Sequence, residues 1–183
     1  YALNMRKPMF QDRRVREALT LAYDFESLNR LQFHNLYQRT NSYFQGSELA
    51  SSGVPEGLEL EILETVRDEV PPELFTEPFT LPTYDNAQSS RQHLRRASEL
   101  LAEAGWRQQG GRLVNERGEQ FRCEFLSNNP DSERTSGGYI NALRRLGIDA
   151  SLRIIDPSQY VNRVRDYDYD VITGMMMQSQ SPG

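Results

Sequence analysis

Apolar positions along this chain recur with two periods, and the switches between them mark out its elements. Residues 1–5 alternate large and polar side chains as a strand does, and Pro8 then stops any ladder hydrogen bonding. Asp12 is a good N-cap, after which Val15, Ala18, Leu19 and Ala22 fall on one helical stripe. Asp24 caps a second predicted helix carrying Leu28, Leu31 and Leu36 on its apolar side. A short helix is expected over 57–68, with Leu60, Leu63 and Val66 inward. Residues 70–84 hold Pro71, Pro72, Pro78 and Pro82, a density that predicts extended, irregular chain.

The second half is more regular. Ser89 or Ser90 is expected to begin a helix with Leu94, Ala97, Leu101 and Ala104 inward, ending at Gly105 so that Trp106 folds back on Leu101. Leu113 and Val114, a turn at 115–118 and residues 119–126 read as a β-hairpin whose second strand enters the core. After a loop at 127–132, Tyr139, Ile140, Leu143 and Leu146 share a helix stripe, and Gly147 ends it with Ile148 placed to return onto Leu143. Residues 150–155 form a strand, and Asp156 with Pro157 starts a helix with Tyr160, Val161 and Val164 on its apolar side. The last strand spans 170–175. Strand, helix, strand, helix, strand implies parallel βαβ units, so the class is α/β. The expected lobe has three layers, with 152–154 and 171–173 as neighbouring central strands and 1–5 at the rim.

Composition narrows the possible functions. At 183 residues the chain is about one domain long and carries a net charge of −5, an acidic balance that argues against nucleic acid. Lys7 is the only lysine, and arginines such as Arg13, Arg14, Arg16, Arg95 and Arg96 lie among acids on predicted helices as solvated faces do. Apolar runs are only a few residues long, so no membrane insertion is expected. Because Tyr1 falls mid-fold, the chain reads as an excised piece whose missing leader says nothing of compartment. Cys123 stands alone, which excludes an internal disulfide and a cysteine-based metal site.

Catalytic and cofactor chemistry find no support in the motifs. GxSxG, GxGxxG and GxxxxGK[ST] do not occur, His34 and His93 are each expected on a helix with no metal-ligand spacing, and no cofactor is expected. Asp166, Asp168 and Asp170 precede an apolar run and are read as capping a helix exit and a strand start. In open α/β sheets ligands lie beyond the carboxyl ends of strands, which points to 176–181 and 127–132. The polar and aromatic loop 37–46 is a further candidate lining, with Arg39, Asn41, Ser42 and Tyr43 as ligand-binding residues. Met175, Met176 and Met177 either pack alternately in the core or line an adaptable pocket. Gln178 and Ser179 add neutral hydrogen-bonding groups that suit a peptide-like ligand.

Four tracts carry a resemblance. They are RKPMFQDRRVREAL at 6–19, ASELLAEAGW at 97–106, a DPxxY helix start at 156–160 and DYDV at 168–171. In this order they resemble the family 5 (peptide/nickel type) extracellular solute-binding proteins. The tracts at 39–53 and 174–183 look most like the YejA-type oligopeptide-binding branch. The resemblance implies a periplasmic-binding-protein type II lobe with a mixed, mostly parallel sheet flanked by helices, and residues 1–183 forming one lobe of a two-lobed protein. It implies a periplasmic, monomeric, non-enzymatic component of an ABC importer that closes on an oligopeptide and delivers it to permease subunits. It also implies that main chain at Met175, Met176 and Met177 pairs with the peptide as an added strand. Many peptide-binding relatives carry Trp where Met176 stands and Asp where Ser179 stands; Ser179 cannot neutralise a peptide amino terminus, so a blocked or differently placed peptide is expected. The alternatives are a hydrolase using Asp168 or Asp170, and a sensor or chaperone on the same fold.

Overall fold

A computed structural model describes residues 1–174, which fall into two compact units. One holds Tyr1–Tyr37 and the described chain from Pro82 onward; the other holds Gln38–Leu81. The first unit opens with strand β1 (Ala2–Leu3) and a single 3₁₀ turn that buries Phe10. Helix α1 (Arg13–Leu21) starts where Asp12 accepts the Arg14 amide at 2.8 Å, and it buries Val15, Ala18 and Leu19 as predicted. Helix α2 (Phe25–Gln32) is capped by Asp24, which accepts the Ser27 amide at 2.8 Å. Its expected stripe is met only in part: Leu28 is half-buried, Leu31 is 67% and Leu36 80% exposed, and the buried residue is Asn29.

The 38–81 unit contains helix α3 (Gly57–Glu64) and two 3₁₀ turns, Arg67–Glu69 and Pro72–Phe75, in none of which is any residue buried. Leu60, Leu63 and Val66 are half-buried as expected, while Leu58 and Ile62 face solvent. Local contacts hold it: Arg67 pairs with Glu64 and its guanidinium lies 3.9 Å over the Phe75 ring. The proline-rich stretch is irregular apart from the turn at Pro72–Phe75.

Helix α4 (Ala87–Glu103) begins earlier than Ser89, because Asn86 is the cap. Asn86 Oδ1 accepts the amides of Gln88 and Ser89 at 2.8 and 3.0 Å, and Ser89 Oγ accepts the Asn86 amide at 3.1 Å, closing a capping box. At its far end Gly105 has φ +89°, and the Trp106 amide bonds the Leu101 carbonyl at 2.9 Å, the predicted Schellman geometry. The hairpin differs from expectation. Its ladder joins β2 (Arg107–Gln109) to β3 (Arg112–Val114) across Gly110 and Gly111, whereas the 115–118 turn leads only to one bridge between Val114 and Gln120. Glycine serves at 110 and 111 because φ is positive at both.

Strand β4 (Arg122–Ser127), helix α5 (Ser132–Arg145), strand β5 (Asp149–Ile154), helix α6 (Pro157–Arg165) and strand β6 (Val171–Ile172) complete the described chain. The sheet runs β1-β6-β4-β5, parallel at β4–β5 and β4–β6 and antiparallel at β1–β6. This corrects the expected neighbours: β4 separates β5 from β6. The reason is burial. Cys123, Phe125, Leu126 and Ser127 are all buried, so β4 takes the centre, while β5 leaves Ser151 and Arg153 in solvent and takes an edge. The β1 strand sits at the opposite edge, the expected rim.

Alternation along β4 places Phe125 against α5, where the Tyr139 ring meets it at 5.4 Å, and Glu124 on the other face, where Arg163 of α6 reaches it at 3.2 Å. The helix α6 buries nothing, and Val161 is exposed rather than inward. The core therefore sits on one side, among α1, α4, α5 and the sheet, and includes Phe10, Leu19, Leu101, Phe121, Leu143, Ile148 and Val171. Tyr1, Tyr23, Phe125 and Tyr139 close it with ring centroids 5.2 to 5.5 Å apart.

Candidate functional site

The three parallel strands share one direction, so their carboxyl ends lie together at Ser127, Ile154 and Ile172. The loop leaving β4 there is closed on itself. Ser127 Oγ and Ser132 Oγ meet at 2.6 Å in a buried contact, the Asn129 amide bonds Ser127 Oγ at 3.0 Å, and the Asp131 amide bonds Asn129 Oδ1 at 3.0 Å. These polar groups hold the loop through bonds to one another. Beyond β6 the predicted ligand-facing residues Met175, Met176, Met177, Gln178 and Ser179 lie outside the described residues.

The loop with Arg39, Asn41, Ser42 and Tyr43 is a series of tight turns within the 38–81 unit. Ser42 Oγ accepts the amides of Phe44 and Ser51 at 3.2 and 3.0 Å, and Asn41 Oδ1 accepts the Leu81 amide at 3.3 Å. Ser47 Oγ continues the pattern, donating to the Phe44 carbonyl at 2.8 Å. Two of the four predicted residues thus shape the loop through its main chain. Tyr43 is 73% exposed and Arg39 half-buried.

Charge gathers at the opposite end of the sheet. A cleft of about 320 Å³ is lined by Lys7, Arg122, Glu124, Asp149, Arg163 and Asp170, among others. Its groups pair with one another: Arg163 with Glu124 at 3.2 Å and with Asp168 at 2.8 Å, Lys7 with Asp170 at 3.3 Å, and Arg122 with Asp149 at 3.5 Å. Asp170 also accepts the Glu124 amide at 2.9 Å. These contacts fit the structural reading of Asp168 and Asp170. Asp166 is the C-cap of α6. A second cleft, of about 380 Å³, has Arg30, Arg91 and Arg145 in its lining beside Asp24 and Asp85.

Among the described residues no three His, Cys, Asp or Glu side chains could hold a metal ion. His34 is not on a helix as expected but just past α2 at φ +51°; His93 lies in α4 with its ring 4.5 Å from Tyr84. Burial pushes the Cys123 thiol well above its ordinary pKa, with the Asp170 charge adding to it, so it is a packed apolar group and not a nucleophile. No helix of the described residues is long and apolar enough to cross a membrane.

Residues 1–183 match the bacterial extracellular solute-binding proteins, family 5 Middle. The chain belongs to that family. Over 98% of its length it is 51% identical to the uncharacterized protein y4wM of Sinorhizobium fredii and 45% identical to the probable peptide-binding protein YejA of Agrobacterium fabrum. These matches cover 27% and 30% of the two relatives, so the chain spans less than a third of either. The crystal structure of NikA from Brucella suis in complex with Fe(III)-EDTA superposes with a TM-score of 0.65 at 21% identity, over 93% of this chain and 28% of that one. The fold is accordingly the type II periplasmic-binding-protein α/β lobe, with its mostly parallel sheet flanked by helices.

One group of anchoring residues, Glu26, Asn29 and Tyr84, escaped the sequence reading. Asn29 occupies the place four residues after Phe25 where a helix stripe calls for an apolar side chain, and that mismatch was the available signal.

Proposed function

We propose that this chain is part of one lobe of a periplasmic solute-binding component of an ABC importer. The whole protein binds oligopeptides between two lobes and delivers them to permease subunits, acting as a monomer and by binding rather than catalysis. The observation that carries the reading is the family match over the full 183 residues, joined to 45% identity with a protein named as probably peptide-binding. Arg39 and Tyr43, with main chain at Met175, Met176 and Met177, form the ligand face in this reading, and Asn41, Ser42, Gln178 and Ser179 complete it.

Mass spectrometry of molecules co-purifying with the full-length protein tests the ligand class, and peptides are the expected finding. Calorimetry with the recovered peptide then tests the face: Arg39→Ala should weaken binding by about 1.5 to 3 kcal/mol, the usual loss of a charge-assisted hydrogen bond. Recovery of a non-peptide ligand overturns the substrate class, whereas peptide affinity unchanged in Arg39→Ala moves the site elsewhere.

A further inference from the structure

Helix α2 buries a polar residue and applies it to main chain at the point where the first unit gives way to 38–81. Asn29 is 8% exposed. Its Nδ2 donates to the Tyr37 carbonyl at 2.6 Å and its Oδ1 accepts the Tyr37 amide at 3.1 Å. One side chain thus engages both main-chain groups of one residue, as a neighbouring strand would. The Asn29 carbonyl accepts the Phe33 and Asn35 amides, each at 3.0 Å, closing a tight bend in which His34 and Asn35 take φ of +51° and +59°. The Phe33 ring meets Tyr37 edge-on at 4.7 Å.

One helical turn earlier, the Glu26 carboxylate accepts the Tyr84 amide at 3.2 Å, two residues after the chain returns at Pro82. Tyr84 is itself buried, with its hydroxyl donating to the Leu21 carbonyl and its ring against His93. A buried amide costs stability unless its hydrogen bonds are made, so a leucine at 29 would serve a merely packed helix better.

We infer that Asn29 and Glu26 are positioning residues whose grip on Tyr37 and Tyr84 holds the chain on either side of the 38–81 segment and so restrains the main chain that leads into Arg39. The purpose assigned to the grip rests on the function proposed above. Arg39 lies two residues past Tyr37, each residue spanning at most about 3.6 Å, so slack at Tyr37 passes directly into the loop.

Amide hydrogen exchange on the full-length protein, with Asn29→Ala, Asn29→Asp and Glu26→Ala, provides the test. Asn29→Ala should raise exchange at Tyr37 about tenfold or more and leave α4 and α5 unchanged; Glu26→Ala should do the same at Tyr84. Asn29→Asp keeps an acceptor for the Tyr37 amide but sets a carboxylate oxygen against the Tyr37 carbonyl, so it should loosen Tyr37 as Asn29→Ala does. Equal acceleration across α4 and α5, no change at Tyr37, or an Asn29→Asp variant that keeps full protection at Tyr37 overturns the inference. Retention of an equimolar synthetic library of tri- to hexapeptides separates the two claims. Retention weakened by Arg39→Ala and untouched by Asn29→Ala overturns the positioning role. Retention untouched by either, with Tyr37 loosened, supports the grip and fails the peptide reading of the loop.

Discussion

At residue scale, two glycines in the same backbone state have different neighbours. Gly105 and Gly147 both end helices at positive φ, +89° and +82°. A Cβ at 105 would meet nothing, while one at 147 would lie 2.8 Å from the Leu113 amide nitrogen, which bonds the Gly147 carbonyl at 2.8 Å. Gly105→Ala should therefore cost about 1 kcal/mol, from backbone strain alone, and Gly147→Ala clearly more, since the hairpin has to shift; the order of the two Tm losses checks this. Cys123 gives a second prediction. Its thiol is held neutral by burial, so iodoacetamide should leave the native protein unlabelled at pH 8 and modify it on unfolding. Because the folded-state pKa is raised, the unfolded chain releases its proton first. That contribution to stability is complete below about pH 8.5 and is lost as pH rises above it, which unfolding midpoints measured from pH 7 to 10 should show.

The elements differ in how openly their sequences declared them. Helices α1, α4 and α5 each show a clean apolar stripe, joined by an Asp12 cap in the first and a glycine exit in the other two, and all three formed where those stripes stand. The start of α4 was misplaced because Ser89 is the third helical residue of a capping box whose cap is Asn86. Asn86→Ala should accordingly destabilise the protein by about 1 kcal/mol, and Ser89→Ala by less, as chemical denaturation can measure. The hairpin misreading has a similar cause: both 110–111 and 115–118 carry turn glycines, and only pairing in space selects the ladder. Helix α2 departs most, because Leu31 stays in solvent and Leu28 is only half-buried while its polar residue Asn29 is enclosed.

For the whole molecule, the two units differ in how much they bury. Within 38–81 Pro55 is buried and no residue of its helices is, whereas the other unit holds a continuous apolar core. Amides in 38–81 should exchange well before those of α4, α5 and β4, and limited proteolysis should cut there first; equal protection in both would contradict this. The α/β class, the helix stripes and the caps at Asp12, Asp24 and Asp156 were legible in the chain alone, because each depends on local periodicity or on a side chain within a few residues of its partner. Family membership was legible for a related reason, since tracts such as 97–106 serve both local structure and family resemblance. Tertiary structure alone decided that β4 separates β5 from β6, that Asn41 and Ser42 shape their own loop, and that Asn29 grips Tyr37. Those outcomes depend on which surfaces are left after the core closes, and a linear pattern carries no record of which residues will compete for the same partner.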